Sequence, residues 1–395
     1  MRRTSTLRAF ALALPWTLAL ASACRPEPSG NNEPPTGATQ SEPSVAAASA
    51  TKPDVETTHA DTVAAKPDVE PPPVEPPPEV AADPLAPLPK EVFERFANLP
   101  RDPKPDSLIR NSHYWISNEL NQQLWHPHIA DLGGAYLGVG TDQNYMLAGW
   151  AKSDLIVVVD FDIAIVDLHR VYTLFFEHAE TFEDFMARWS PEREEEGLTL
   201  IDDNYAERDD YKRIRKAYKI ARKLVWARLR TVRKAYTALG IPTFITDQAQ
   251  YDHIRTLSRN GRIFAVRGDF TANETMMAVA DAMTESGFAF NVIYLSNVEQ
   301  YIDYTPEFRR NLSRQPVGDK GMVVRTLGWS AFGFAPEEEY HYNVQPAPKF
   351  TEWLKVSRVT NLPRMLHYRT RTDIEGLSLL DGEVRVAKRP PKIAE

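Results

Sequence analysis

The residues most able to hold a ligand stand at the ends of apolar runs. Gly138-Val139-Gly140 closes the run that starts at Ala135, and Asp160 closes the next, Leu155 to Val159. A separation of about 20 residues is the one expected between a glycine turn facing phosphate and a carboxylate gripping ribose hydroxyls. Asp269 follows the run Ile263 to Val266, and Ser296-Asn297 with Glu299 follows Phe290 to Leu295. If these runs are parallel strands, their carboxyl ends converge on one crevice, with Gly138, Gly140, Asp160 and Asp269 on the cofactor side. Asn297 and Glu299 are then the candidates for catalytic contact. The same acids and amide also suit helix capping, where a side-chain oxygen accepts from free N–H groups. Both readings stand for Asp160, Asp269 and Asn297.

Other chemistries find less support. His126-Pro127-His128 offers two imidazoles, but no third or fourth ligand stands at a recognisable metal spacing. His169 and His178 share one expected helix without sharing a face, which suggests structural roles. No Gly-x-Ser-x-Gly elbow, phosphate-binding Walker loop or His-Glu-x-x-His occurs, against common hydrolases and metalloproteases.

These residues need strands and helices to position them. Leu155–Asp160 is a continuous, largely β-branched run, the mark of a strand buried on both faces. The pattern predicts strands at 135–140, 155–160, 263–266, 290–295 and 322–327, with another beginning at 242–246. Helices are expected at 91–98, 115–124 (ending at Pro127), 141–150, 163–177, 249–257 and 271–285, the last with Thr271 and Glu274 at capping-box spacing. Alternating strand and helix argues for a mostly parallel sheet covered by helices on both faces. Between its halves, 204–239 reads as one long helix, part of a helical insertion near 180–240. Tyr211, Ile214, Tyr218, Ala221, Val225 and Leu229 mark its apolar stripe, and Lys and Arg fill the remainder from Arg208 to Lys234. Such a helix either docks on an anionic surface or pairs with acids such as Glu192 to Glu196 and Asp202-Asp203.

The order of a glycine turn, an acid, an Asp and polar groups after successive strands resembles the class I S-adenosylmethionine-dependent methyltransferases, which have a Rossmann-like fold. The resemblance implies that Gly138 and Gly140 face the amino-acid part of S-adenosylmethionine. Asp160 would hold ribose, Asp269 the adenine edge, and Asn297 would face the substrate. More narrowly, Gly-Val-Gly-Thr-Asp-Gln-Asn-Tyr at 138–145 and Leu-Ser-Asn-Val-Glu-Gln-Tyr at 295–301 are similar to an uncharacterised bacterial family of this fold, over roughly residues 110–335. The chain departs from the pattern in two ways. Asp142-Gln143 replaces a third glycine, which disfavours a nicotinamide dinucleotide, and the Asn/Asp-Pro-Pro-Tyr signature of base methylation is absent.

The first ninety residues address a compartment. Arg2-Arg3 and Arg8 precede an apolar run, Ala9 to Ala21, too short for a bilayer-spanning helix. Ala21-Ser22-Ala23-Cys24 resembles the lipobox of bacterial lipoproteins, which implies a signal peptide over 1–23 and a diacylglyceryl thioether on Cys24. Arg2-Arg3 also raises twin-arginine export. Cys24 is the sole cysteine among 395 residues, so its lipidation would exclude disulfides, cysteine-ligated zinc and a cysteine nucleophile from the rest. Residues 24–90 carry about half of the 31 prolines and repeat Lys-Pro-Asp-Val-Glu at 52–56 and 66–70. With almost no large apolar side chains this stretch cannot form a core and is expected to be a disordered tether. Its reach would lie between about 45 Å as a coil and about 200 Å fully extended.

Together these features predict a lipid-anchored protein of the cell envelope, on the periplasmic or surface side and most simply at the outer membrane. One α/β domain is expected over 91–335, and a C-terminal extension over 336–395. The net charge of −8 gives no argument for nucleic acid. An exported domain meets no ready supply of S-adenosylmethionine, so the leading expectation is binding of a nucleotide-type or other small ligand in a methyltransferase-like crevice. An active methyltransferase and a non-catalytic envelope scaffold are the alternatives, since fold does not dictate function.

Overall fold

The computed structural model describes residues 83–384; the signal-like run, Cys24, nearly all of the tether and residues 385–395 lie outside them. Helix α1 (Lys90–Ala97) forms where a short helix is expected. The helix expected at 115–124 does not form. Residues 112–121 contain no helix, a 3-10 turn spans Gln122–Trp125, and α2 (His126–Ile129) starts where Pro127 is expected to end one. Proline is accepted in a first turn because its missing N–H had no helical partner.

Strand β1 (Ala135–Gly138), α3 (Gln143–Ala151), β2 (Leu155–Asp160) and α4 (Ile163–His178) then alternate as the pattern predicts. Before β3 come α5 (Phe182–Ala187), α6 (Glu194–Tyr205), α7 (Tyr211–Leu239) and α8 (Gln248–Arg259). The single helix expected over 204–239 is therefore two. Between α6 and α7 the Arg208 guanidinium folds back onto Asp210 at 2.8 Å, and Asp210 also meets Arg170 at 3.3 Å. The strand expected at 242–246 is a turn. Thr243 N donates to Thr246 Oγ1 at 2.8 Å and Thr246 N returns to the Thr243 carbonyl at 3.0 Å, a local closure that competes with any ladder.

The remaining elements are β3 (Ile263–Arg267), α9 (Thr275–Glu285), β4 (Phe290–Ser296), α10 (Pro306–Ser313), β5 (Val317–Leu327), β6 (His341–Pro346), α11 (Ala347–Leu354), α12 (Leu362–Leu366), β7 (Thr370–Arg371) and β8 (Leu377–Leu379). Helix α9 begins four residues later than expected, and the Thr271–Glu274 capping box is absent. Asp269 Oδ1 takes both the N–H and the hydroxyl of Thr271, at 2.7 and 2.6 Å. Asp102, distant in sequence, supplies the cap by accepting from Glu274 N and Thr275 N at 3.1 and 3.3 Å.

All strands join one α/β sheet in the order β3-β2-β1-β4-β5-β6-β8-β7. The first five neighbours are parallel; β6 runs antiparallel to β5, β8 parallel to β6, and β7 antiparallel to β8. Residues 336–380 thus extend the same sheet. Every residue of β1, and Leu155 to Val159 of β2, is buried. Successive side chains point to opposite faces, so both faces at the centre are covered. On one side α4 packs against β2, β3, α7 and α8; elsewhere α11 packs against β4, β5 and β6. A second apolar centre lies among the helices, where Tyr172, Phe175, Phe185, Trp189 and Tyr218 meet ring to ring. It accounts for α7's apolar stripe, which turns inward with Ile214, Tyr218, Val225 and Leu229 fully buried. No helix among the described residues is long and apolar enough to cross a membrane.

Candidate functional site

The strand order reverses between β1 and β4, and in open α/β sheets ligands bind beyond the strand ends at such a point. Gly140 there takes a φ of +76°, a conformation that favours glycine. Its N–H donates to Asp160 Oδ2 at 3.1 Å, so the glycine turn and the acid at the end of β2 do meet. Asp160 Oδ1 also accepts from Asp162 N at 2.9 Å. The cap of α4 is Asp162, which accepts from Ala164 N at 3.0 Å. Burial pushes the Asp160 carboxyl up to about 7, against these hydrogen bonds. The turn is closed by its own side chains. Asn144 Nδ2 donates to the carbonyls of Val139 and Thr141 at 2.9 and 2.8 Å, and a Cβ on Gly138 would collide with Asn144 and Tyr136. Asp269 lies with Asp102 and Thr271; its N–H donates to Asp102 Oδ2 at 3.0 Å.

Residues 112–122, expected in part as helix, instead form a strap across these strand ends. His113 Nδ1 lies 2.6 Å from Asp162 Oδ2 after β2, and Ser117 N donates to Asp142 Oδ1 at 3.4 Å after β1. Glu119 is the centre. Its carboxylate accepts from Tyr294 and Ser296 of β4 at 2.6 and 3.0 Å, from Thr326 of β5 at 2.7 Å, and from Gln122 at 3.0 Å. Burial pushes the Glu119 carboxyl up while these four donors favour its charged form. Behind it, Arg228 of α7 pairs with Asp142 at 3.2 Å and reaches the Glu119 carbonyl at 3.3 Å. The strap therefore fills the reversal point with the chain's own carboxylate. Nothing in the sequence singled out Glu119, because a lone Glu in a polar stretch carries no motif.

Asn297 and Glu299 lie on the other side, after β4. Asn297 Nδ2 donates to the Tyr340 hydroxyl at 3.1 Å. Glu299 lines a cleft of about 490 Å³ formed by residues following β4 and β5 and the start of α12. Its carboxylate pairs with Arg325 of β5 at 3.3 Å, both side chains wholly buried, and Tyr304 donates its hydroxyl to Oε1. Burial pushes this carboxyl up and Arg325 draws it back. Arg325 also donates to Asn343 at 2.8 Å and stacks on Phe350 at 4.8 Å, so its charge is committed within the protein. Tyr301 and Trp329 line the same cleft with 40% and 49% of their surface exposed.

A family model described as a domain of unknown function, DUF7790, matches residues 114–381. The match spans the strap from Tyr114 onward, the sheet from β1 to β8 and the cleft. The chain belongs to this family. No curated protein matches the chain.

Two further histidines of the DUF7790 domain, His169 and His126, are held by contacts within it. His169 is buried, with Nδ1 2.7 Å from the Tyr145 hydroxyl and Nε2 2.7 Å from the Gly140 carbonyl; burial lowers it to about 4. His126 meets the Trp150 ring, and no cluster of metal-binding side chains occurs among the described residues. Helix α7 pairs Arg213 with Asp167, Arg215 with Asp202, Arg222 with Glu194 and Arg233 with Glu183. Lys212, Lys216 and Lys219 border a shallow surface groove with Ile220, which is 47% exposed.

Proposed function

We propose that this chain is a lipid-anchored envelope protein whose methyltransferase-like, Rossmann-type domain binds a small ligand in the cleft beyond β4 and β5. The order β3-β2-β1-β4-β5, all parallel, supports the Rossmann-type reading, with α5 to α7 as a helical insertion between β2 and β3. The carrying observation is the cleft itself. It stands at the carboxyl ends of two parallel strands, with a buried Glu299–Arg325 pair beneath it and exposed Tyr301 and Trp329 on its walls. Ligand sites join apolar lining to a few placed polar groups in this way. The anchor is read from Cys24 and the tether from the proline-rich stretch. The outward lysines of α7 are read as the surface that meets anionic headgroups when the tether lets the domain approach the bilayer.

An active methyltransferase is the second reading, favoured by the hydrogen bond between Gly140 and Asp160. It requires the Glu119 strap to leave the reversal point. A thermal-shift screen of a small-molecule library, with S-adenosylmethionine and S-adenosylhomocysteine included, separates the two. Ligands of the cleft lose their shift in Trp329→Ala and keep it in Asp160→Asn. The reverse pattern, carried by the adenosyl compounds, would move the site to the reversal point. A screen without any shift would leave the non-catalytic scaffold as the reading to pursue.

A further inference from the structure

The chemistry of the cleft narrows its ligand. Tyr301 and Trp329 hold about half of their surface in water although each could bury apolar area, so a ligand face that covers a ring is favoured. The polar lining comes from Gln300, Asp303, Asn361 and Glu299, and no Lys, Arg or His lines the cleft. A phosphate or carboxylate would meet only negative charge there, which disfavours nucleotides as well. Asp303 accepts from Asn361 Nδ2 at 3.1 Å, which leaves most of its lone pairs free. Glu299 Oε2 is buried and accepts no hydrogen bond, although Arg325 stands 3.3 Å away as its counter-charge. That oxygen lies under the cleft with no surface open to a ligand, so Asp303 is the carboxylate the cleft presents.

We infer that the cleft is a saccharide site, taking a neutral polyhydroxylated ring whose C–H face lies on Trp329 or Tyr301 and whose hydroxyls donate to Asp303. The inference rests on the ligand-binding reading above and adds the class of ligand. A sugar ring has one face of C–H groups and a rim of donors, the combination that the exposed aromatics and the open Asp303 carboxylate request. A quaternary ammonium would gain cation–π and charge attraction there but would offer no donor to Asp303, which is why choline is a comparison in the test.

The test is isothermal titration of the full chain, held in an amine-oxide detergent because glycoside detergents would compete. The probes are neutral oligosaccharides (N-acetylglucosamine, glucose and galactose tetramers), with choline and S-adenosylhomocysteine as comparisons. Binding of at least one oligosaccharide is expected. It should weaken about tenfold in Trp329→Ala, the scale of one lost aromatic contact, and recover in Trp329→Phe. Asp303→Asn should weaken the same probe without altering the melting temperature. If choline or S-adenosylhomocysteine binds in a Trp329-dependent way and no oligosaccharide does, the cleft remains a ligand site and the saccharide assignment is overturned. If no probe or library compound responds to Trp329→Ala, both readings fail. Oligosaccharide binding unchanged in Trp329→Ala and Asp303→Asn would also overturn the assignment by placing the sugar elsewhere.

Discussion

Asp160→Asn offers a direct measure of how closed the β1/β2 end of the domain is. The Asp160 carboxyl sits at about 7 in the folded chain, against an ordinary 3.8, because burial outweighs the N–H groups of Gly140 and Asp162. For an acid raised on folding, the folded state holds its proton over a range where the unfolded chain has lost it. The stability is therefore fully present below about pH 4 and is lost as the pH rises through 7. At about 1.4 kcal/mol per pH unit the loss is roughly 4 kcal/mol, a ceiling because the carboxylate keeps some contact with water. The variant carries no charge to bury but has one oxygen for two N–H donors, a cost of about 1 kcal/mol. Urea unfolding of both proteins at pH 5, 6, 7 and 8 should show the two nearly equal at pH 5, where the wild type has already lost about 1–2 kcal/mol against the variant's about 1. The variant should become the stronger by roughly 2–3 kcal/mol at pH 8. His169, lowered to about 4, acts in the opposite sense, losing stability as the pH falls from 6.5, but it is common to both proteins and cancels in the difference. A difference that stays constant from pH 5 to 8 would refute the reasoning. Asp160 would then be an ordinary solvated acid, and the crevice there would be open to a ribose.

Four further outcomes follow from the same structure. Glu119→Ala strands the hydroxyls of Tyr294, Ser296 and Thr326; a loss of about 3 kcal/mol in urea unfolding is expected, with faster hydrogen exchange over 112–122, and unchanged exchange there would deny that Glu119 holds the strap. Arg325→Met leaves Glu299 buried without its counter-charge and should cost about 3–5 kcal/mol, most of it regained in the Glu299→Gln/Arg325→Met double variant; additive losses would contradict the coupling. Cys24→Ala should move the chain to the soluble fraction of membranes washed at high salt, which screens α7, or leave its precursor uncleaved, and unaltered association after that wash with normal processing would sink the anchor. Full chain carrying Cys24→Ser should sediment with phosphatidylglycerol vesicles but not with phosphatidylcholine, and Lys212, Lys216 and Lys219 changed together to Glu should abolish this; equal binding to both vesicles would remove the electrostatic argument.

Much of the fold was legible from residue pattern alone. The apolar runs at 135–138, 155–160 and 290–296 are strands because a run buried on both faces leaves no ambiguity of face, and 263–267 is the edge strand beside them. The adjacency of Gly140 and Asp160 was legible too, since parallel neighbours bring successive strand ends side by side. What the sequence could not decide is where isolated polar side chains go. Glu119, Asp102 and Arg325 bond to partners far along the chain, and no local spacing encodes such bonds. The strap shows the consequence: Trp115, Ile116, Leu120 and Leu124 have helical spacing, yet the segment is held open by hydrogen bonds to the strand ends. The cleft likewise exists only because β5, the turn after β4 and the start of α12 converge, though they are separated by tens of residues. Periodicity reports the burial of a segment's own face, whereas a site is made where segments meet, and only the tertiary fold sets that meeting.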